Sequence, residues 1–346
     1  MRLFLFISLL FSSASYAQIC DGNSLRGAFT TINCASLTID ANTDLSNEPG
    51  PILVEVTGEV RINKNVILNG GHGQSLTSDN PGGSPGPGAG MGGGYDSFGG
   101  FNTDGFDGFT SNGKTPNSSG TCGNGGSGAG MARAGEDGRV CNSPNEPKAN
   151  GGQAATTEFD PITFSPFRGG FGGGAGAYSS VIEFGSGGGG GGALHIKSIT
   201  GDIFIARGVT ISARGGNGGS AASTGGGGGG GSGGAIWLEA LIGNITNQGI
   251  IDTRGGKGGG SSSGGIGGKG SDGFIRISDI SGTINQIGFI NAPGANTQKL
   301  SSDISCGTLS SKEEKKNLVF QMGLGFGIAL LLLNLFKTLF QCQKKS

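Results

Sequence analysis

Apolar and polar residues alternate in short runs that recur along the chain. Leu194 and Ile196, Ile236 and Leu238, and Ile275 and Ile277 are each separated by a single residue. A period of two predicts a strand with one buried face. A glycine turn follows each run, at Gly201, Gly243 and Gly282, which stand 42 and then 39 residues apart. A second short strand comes next (Ile203 and Ile205; Ile245; Ile284), then a third (Val209 and Ile211; Ile250 and Ile251; Phe289 and Ile290). A glycine-rich excursion closes the unit. A relative of this unit runs from Ile52 to Ile62 and on through Val66-Ile67-Leu68-Asn69-Gly70-Gly71. Trp237 has the opposite parity to Ile236 and Leu238, so it is expected to face outward or into a neighbouring loop.

One such unit cannot bury its inward Ile and Val alone, whereas stacked units bury them in a continuous column. The expected fold is therefore all-β: a right-handed parallel β-helix with glycine-rich loops. A β-sandwich also uses alternating strands, but it predicts neither near-identical copies nor such long glycine runs between them.

Two apolar stretches do not alternate. Residues 1–17 have a positive start, a short apolar run and the small residues Ser15 and Ala17, the anatomy of a secretory signal peptide cleaved after Ala17. Leu318 to Phe336 is interrupted only by Gln321 and Asn334 and is long enough for one C-terminal transmembrane helix. Lys337, Lys344 and Lys345 then make a basic tail, which the positive-inside rule puts in the cytoplasm. The body accordingly lies on the outer side, periplasmic or extracellular, of a single-pass membrane protein. Gly323 and Gly327 form a small-xxx-small pair suited to weak self-association. Cys306-Gly307, just ahead of the span, is a candidate processing motif, so a permanent anchor and a removed sorting signal both stay open.

The chain divides as follows: signal peptide 1–17, N-terminal coils 18–70, a glycine-rich insertion 71–192 and repeated coils 193–300. A juxtamembrane linker 301–317, the span 318–336 and the tail 337–346 complete it. For 71–192 two readings stand. Low hydrophobicity and Pro81, Pro85 and Pro87 favour disorder. The alternative is glycine strands of polyproline-II type packed side by side, since glycine permits close backbone approach. Phe98, Phe101, Phe106 and Phe109 with a Cys122–Cys141 bridge favour partial order.

Composition narrows the chemistry. The 78 glycines argue against a helical core, and 14% charged residues with a net charge of −1 leave no footprint for nucleic acid. Of six cysteines, Cys342 lies past the span; among the rest, local pairing Cys20–Cys34 and Cys122–Cys141 is preferred, leaving Cys306. Two histidines and no Cys-x-x-Cys make a zinc site improbable, and no cofactor is implied. Asp96, Asp104 and Asp107 miss calcium-loop spacing and read as turn residues. Gly265 to Ser271 resembles a phosphate loop faintly, but Gly270 follows Lys269 where Ser or Thr is needed. Arg214 and Arg254 recur at equivalent positions, either as turn residues or as a ligand ridge for anionic glycans.

The strand triplet, the glycine run and Arg-Gly-Gly-(Asn/Lys)-Gly-Gly cover 37–71 and about 187–294. Together they resemble the glycine-rich β-helical surface and adhesin-like proteins of bacteria. That resemblance implies a stalk or display scaffold whose work is attachment or surface structure, and it carries over no site residue. The expected function is thus a non-enzymatic structural or adhesive surface protein, with surface glycans or other envelope components as partners. The alternative is a carbohydrate-active β-helix enzyme, a polysaccharide lyase or hydrolase. No two carboxylates recur at equivalent positions in adjacent copies, where such an enzyme needs a pair.

Overall fold

The computed structural model describes residues 18–27, 31–76, 82–93, 123–141, 167–177, 184–222 and 224–291, and the backbone of Thr297–Ser301. The expected span Leu318 to Phe336 lies outside those residues. Among the described residues no helix is long and apolar enough to cross a membrane.

The protein is mostly β, with parallel sheets. In chain order the strands are β1 (Gln18–Cys20), β2 (Ile32–Ile39), β3 (Thr43–Asp44), β4 (Ile52–Val56), β5 (Val60–Ile62) and β6 (Val66–Ile67). After β7 (Ser75–Leu76) and β8 (Phe184–Gly185) come β9 (Ala193–Ser198), β10 (Ile203–Ile205) and β11 (Thr210–Ser212). The next triplet is β12 (Ala235–Ala240), β13 (Ile245–Asn247) and β14 (Ile250–Asp252). The last is β15 (Phe274–Asp279), β16 (Ile284–Gln286) and β17 (Phe289–Asn291), followed by β18 (Thr297–Ser301).

Each triplet forms one tier, and equivalent strands pair in parallel from tier to tier. The first column runs β2, β4, β9, β12, β15, β18; the second runs from the other half of β2 through β5, β10, β13 and β16. The third is β3, β6, β11, β14, β17. Register follows the sequence repeat: Ile52 pairs with Leu194, Leu194 with Ile236, and Ile236 with Ile275. Parity then sends these side chains inward. One buried cluster joins Ile39, Val54, Ile62, Ile196, Ile205, Leu238 and Ile277 with their neighbours from every column.

Between tiers the described parts of the glycine-rich excursions form legs that leave the third column and return to the first. On the returning leg before β9, Gly185, Gly188 and Gly191 donate to the carbonyls of Gly226, Gly229 and Ser232, each at 2.9 Å. Ser186, Gly189 and Gly192 donate instead to Gln74, Gly71 and Leu68, and Gly187, Gly190 and Ala193 to Gly93, Gly90 and Pro87. Each third of the leg thus serves a different neighbour. Three residues per turn is the repeat of polyproline II, which makes no internal hydrogen bonds and leaves all its backbone groups for adjacent chains. The same pattern links 226–234 to 265–273, through Gly227, Gly230 and Gly233, and to 171–177. Glycine is required because the legs touch backbone to backbone. A Cβ on Gly229 would lie 1.9 Å from the Ser127 carbonyl oxygen, and one on Gly188 would lie 2.0 Å from that of Gly216.

The N-terminal end of the stack is closed. β1 pairs with β2, the Cys20–Cys34 disulfide ties them, and Leu25 on the short 3-10 turn Asn23–Leu25 is fully buried. A disulfide belongs to an oxidising environment.

Three outcomes test this account by urea denaturation. Gly229→Ala lowers stability by about 1–3 kcal/mol, the usual cost of overpacking. Gly50→Ala, whose new methyl meets nothing within 4 Å, leaves the midpoint unchanged or slightly raised. Cys34→Ser opens a link across a sequence separation of 14 and costs about 3 kcal/mol.

Candidate functional site

The site grows out of the three outgoing legs after β6, β11 and β14. They run side by side in the register of the strands before them. Gly70 N–H donates to the Arg214 carbonyl and Gly73 to Asn217; Gly215 donates to Arg254 and Gly218 to Lys257. Each leg reads X-Gly-Gly-X: the glycines face neighbouring chains, and every third residue faces out. Two rows of side chains result. Asn69, Arg214 and Arg254 form one, and His72, Asn217 and Lys257 the other. With Lys269 they line a groove of about 490 Å³.

Asp252 anchors the first row. Its side chain leaves the outer face of β14 but is 1% exposed, because Arg214 and Arg254 close over it. Arg214 Nε donates to Asp252 Oδ2 at 2.7 Å, Arg254 Nη2 to the same oxygen at 2.8 Å, and Arg254 Nε to Oδ1 at 3.0 Å. Burial pushes the carboxyl up, but the hydrogen bonds from Arg254 and Arg214 outweigh it and hold the group below the ordinary carboxylate value. Both guanidinium groups remain nearly half exposed, so they are positioned without being used up.

A second side-chain ladder occupies the outer face of the first column. The His195 and Trp237 rings stack at 4.0 Å, and the Arg276 guanidinium lies 4.5 Å from the Trp237 ring centre. Trp237 Nε1 donates to Ser278 Oγ, and His195 Nε2 is 3.3 Å from Glu239 Oε2. Trp237 and Phe167 also pack against buried Met131, Phe171 and Phe274, which seats the outermost glycine legs on the sheet. This ladder joins layers and is largely covered, so the groove is the more accessible of the two.

Of the residues picked out from sequence, Arg214 and Arg254 stand in adjacent tiers of the groove. Cys20 and Cys34 are bonded to each other. Cys141 is disulfide-bonded, and its expected partner Cys122 lies outside the described residues. So do Asp96, Asp104, Asp107, Cys306, Gly307, Gly323 and Gly327. The loop-like stretch Gly265 to Ser271 is a lattice leg. The N–H groups of Gly265, Gly267, Gly268, Gly270 and Ser271 all donate to neighbouring carbonyls, so none is presented to a phosphate. Sequence reasoning passed over Asn69, His72, Asn217, Asp252, Lys257 and Lys269 as site residues. The signal for most of them was the three-residue spacing within Arg-Gly-Gly-(Asn/Lys)-Gly-Gly, which repeats in Asn69-Gly70-Gly71-His72.

Comparison with protein-family models, curated proteins and solved structures finds no match to this chain.

Because the folded pKa of Asp252 is depressed, its contribution is complete above the ordinary Asp value of about 3.9 and is lost as pH falls through the lower folded value. Asp252→Asn therefore lowers stability at neutral pH by about 1–3 kcal/mol, the range for hydrogen bonds to a charged group. It also flattens the fall in stability below about pH 4. Urea midpoints across that pH range, wild type against variant, are the check.

Proposed function

We propose that this chain is a non-enzymatic structural or adhesive protein of a cell surface, in which a right-handed parallel β-helix displays a basic groove. Supporting the helix are three columns of parallel strands visited in the same order in successive tiers. Right-handed winding is the sense taken by nearly all crossovers between parallel strands. Export is supported by the signal anatomy of residues 1–17 and by the disulfide. Attachment to the membrane through Leu318 to Phe336 rests on the sequence.

The observation that carries the functional reading is the groove lining. It holds four cations, Arg214, Arg254, Lys257 and Lys269, and no carboxylate among the described lining residues. Cleavage of a glycosidic bond by the common route needs two carboxylates about 5 to 9.5 Å apart. Attachment to envelope glycans needs only positioned charge.

One arrangement favours the enzyme alternative enough to set its test. Glu55 and Glu239 share a register position in the first column, two tiers and so about 9–10 Å apart. Lys197 stands between them, 3.7 Å from Glu55, and His195 holds Glu239. These contacts describe a ladder of ion pairs better than a free acid and base.

Purified protein incubated with acidic polysaccharides is expected to release no new reducing ends and no unsaturated uronates, while antibody labels the protein on intact cells. Product formation that disappears in Glu239→Gln would replace the structural reading with the enzymatic one.

A further inference from the structure

The side chains of the groove are held by bonds made to their acceptors. Asn69 Oδ1 accepts from the Arg214 N–H at 2.8 Å and from the Ser212 hydroxyl at 2.6 Å. Asn217 Oδ1 accepts from the Lys257 N–H at 2.9 Å. His72 Nδ1 accepts from the Asn217 N–H at 2.9 Å, which leaves the ring proton on Nε2. The Asp252 oxygens accept from both arginines. What each side chain has left to offer is therefore a donor: two amide NH2 groups, an imidazole N–H, two ammonium groups and the outer guanidinium N–H groups. Side chains that offer donors and positive charge, with their acceptors turned to the scaffold, suit oxyanions.

The donors also lie on a grid. Neighbours within a row are one tier apart, about 4.8 Å. The two rows are separated by one three-residue turn of the legs, about 9 Å. A single small anion reaches one corner of such a grid, whereas a chain bearing anionic groups at intervals reaches several corners together. Nucleic acid fits less well, because the chain carries a net charge of −1 and its sequence holds no long basic run.

We propose that this groove binds the carboxylate or sulfate groups of an acidic glycan chain, with Arg254, Lys257 and Lys269 as its main contacts. The proposal names the ligand class for the adhesive reading above and rests on it.

The test uses the full-length protein, with polygalacturonate and dextran sulfate as probes and neutral dextran as control. Calorimetry is expected to show binding to at least one acidic polymer, weakened by added salt, and none to dextran. Which acidic polymer binds tells carboxylate from sulfate recognition. The double variant Lys257→Ala/Lys269→Ala, whose ammonium groups make no hydrogen bond or ion pair among the described residues, should bind at least tenfold more weakly with an unchanged melting temperature. Arg254→Lys should weaken binding less than the double variant, since it keeps the charge and loses the fork. Equal binding by wild type and the double variant, no binding to either acidic polymer, or preference for duplex DNA overturns the proposal. Cleavage of a bound polymer would sink the non-enzymatic reading and leave the groove standing. Surface labelling without groove binding would do the reverse.

Discussion

The structure depends on one constraint: chains that touch through backbone hydrogen bonds keep the same lateral spacing whether they are strands or glycine legs. Paired strands lie about 4.8 Å apart. The chain leaves the third column and enters a leg without losing register, so the pairing of Ser212 with Asp252 continues as the bond from Gly215 N–H to the Arg254 carbonyl. Each tier therefore dictates the level of its leg. A strand in a sheet meets neighbours on two sides, whereas a leg with three residues per turn meets them on more. At most enclosed positions that extra contact leaves no room for a Cβ, which is why the legs are mostly glycine there.

The two parts cohere for different reasons. The tiers bury Ile, Leu and Val, each contributing about 1.5–3 kcal/mol when fully covered. The lattice has hardly any apolar interior. Each of its hydrogen bonds is worth about 1 kcal/mol net, and each glycine carries an added entropic cost of about 0.5–1 kcal/mol. These nearly offset, so a lattice alone would be marginal. It is held because its legs begin and end in the tiers, and because Phe171, Met131 and Phe274 form an apolar seam between the outer legs and the first column. Ser186, Ser232 and Ser271 add side-chain acceptors for the N–H groups of Gln74, Phe171 and Met131.

The tiers were legible in the sequence because a period of two fixes which residues face inward, and the copies fix which strands lie level. Leu194, Ile236 and Ile275 were aligned by the repeat and are aligned in the sheet. The legs were less legible, because a hydrogen bond between backbones leaves no trace in side-chain type. Glycine-rich sequence is compatible with disorder and with the tightest packing alike. Arg214 and Arg254 could be paired on repeat position alone, whereas Lys269 could not. It sits on a returning leg, and its approach to Lys257 depends on how far each leg runs before it turns back.

The same constraint explains why the chemistry sits where it does. Within the legs, positions enclosed by other legs hold glycine or a small residue such as Ala175, Ser186 or Ser232, and the long polar side chains of the outgoing legs stand on the outward third of each turn. Functional groups on an outgoing leg must therefore appear at intervals of three, and stacking converts those intervals into rows. Like charges in adjacent tiers would repel at about 4.8 Å. Asp252 relieves this for Arg214 and Arg254 by lying beneath both. The second row avoids it by alternating: His72, Asn217 and Lys257 bring only one permanent charge to three tiers. A buried carboxylate under one row and a neutral spacer in the other allow a dense set of donors to persist on a backbone scaffold that offers no other place for them.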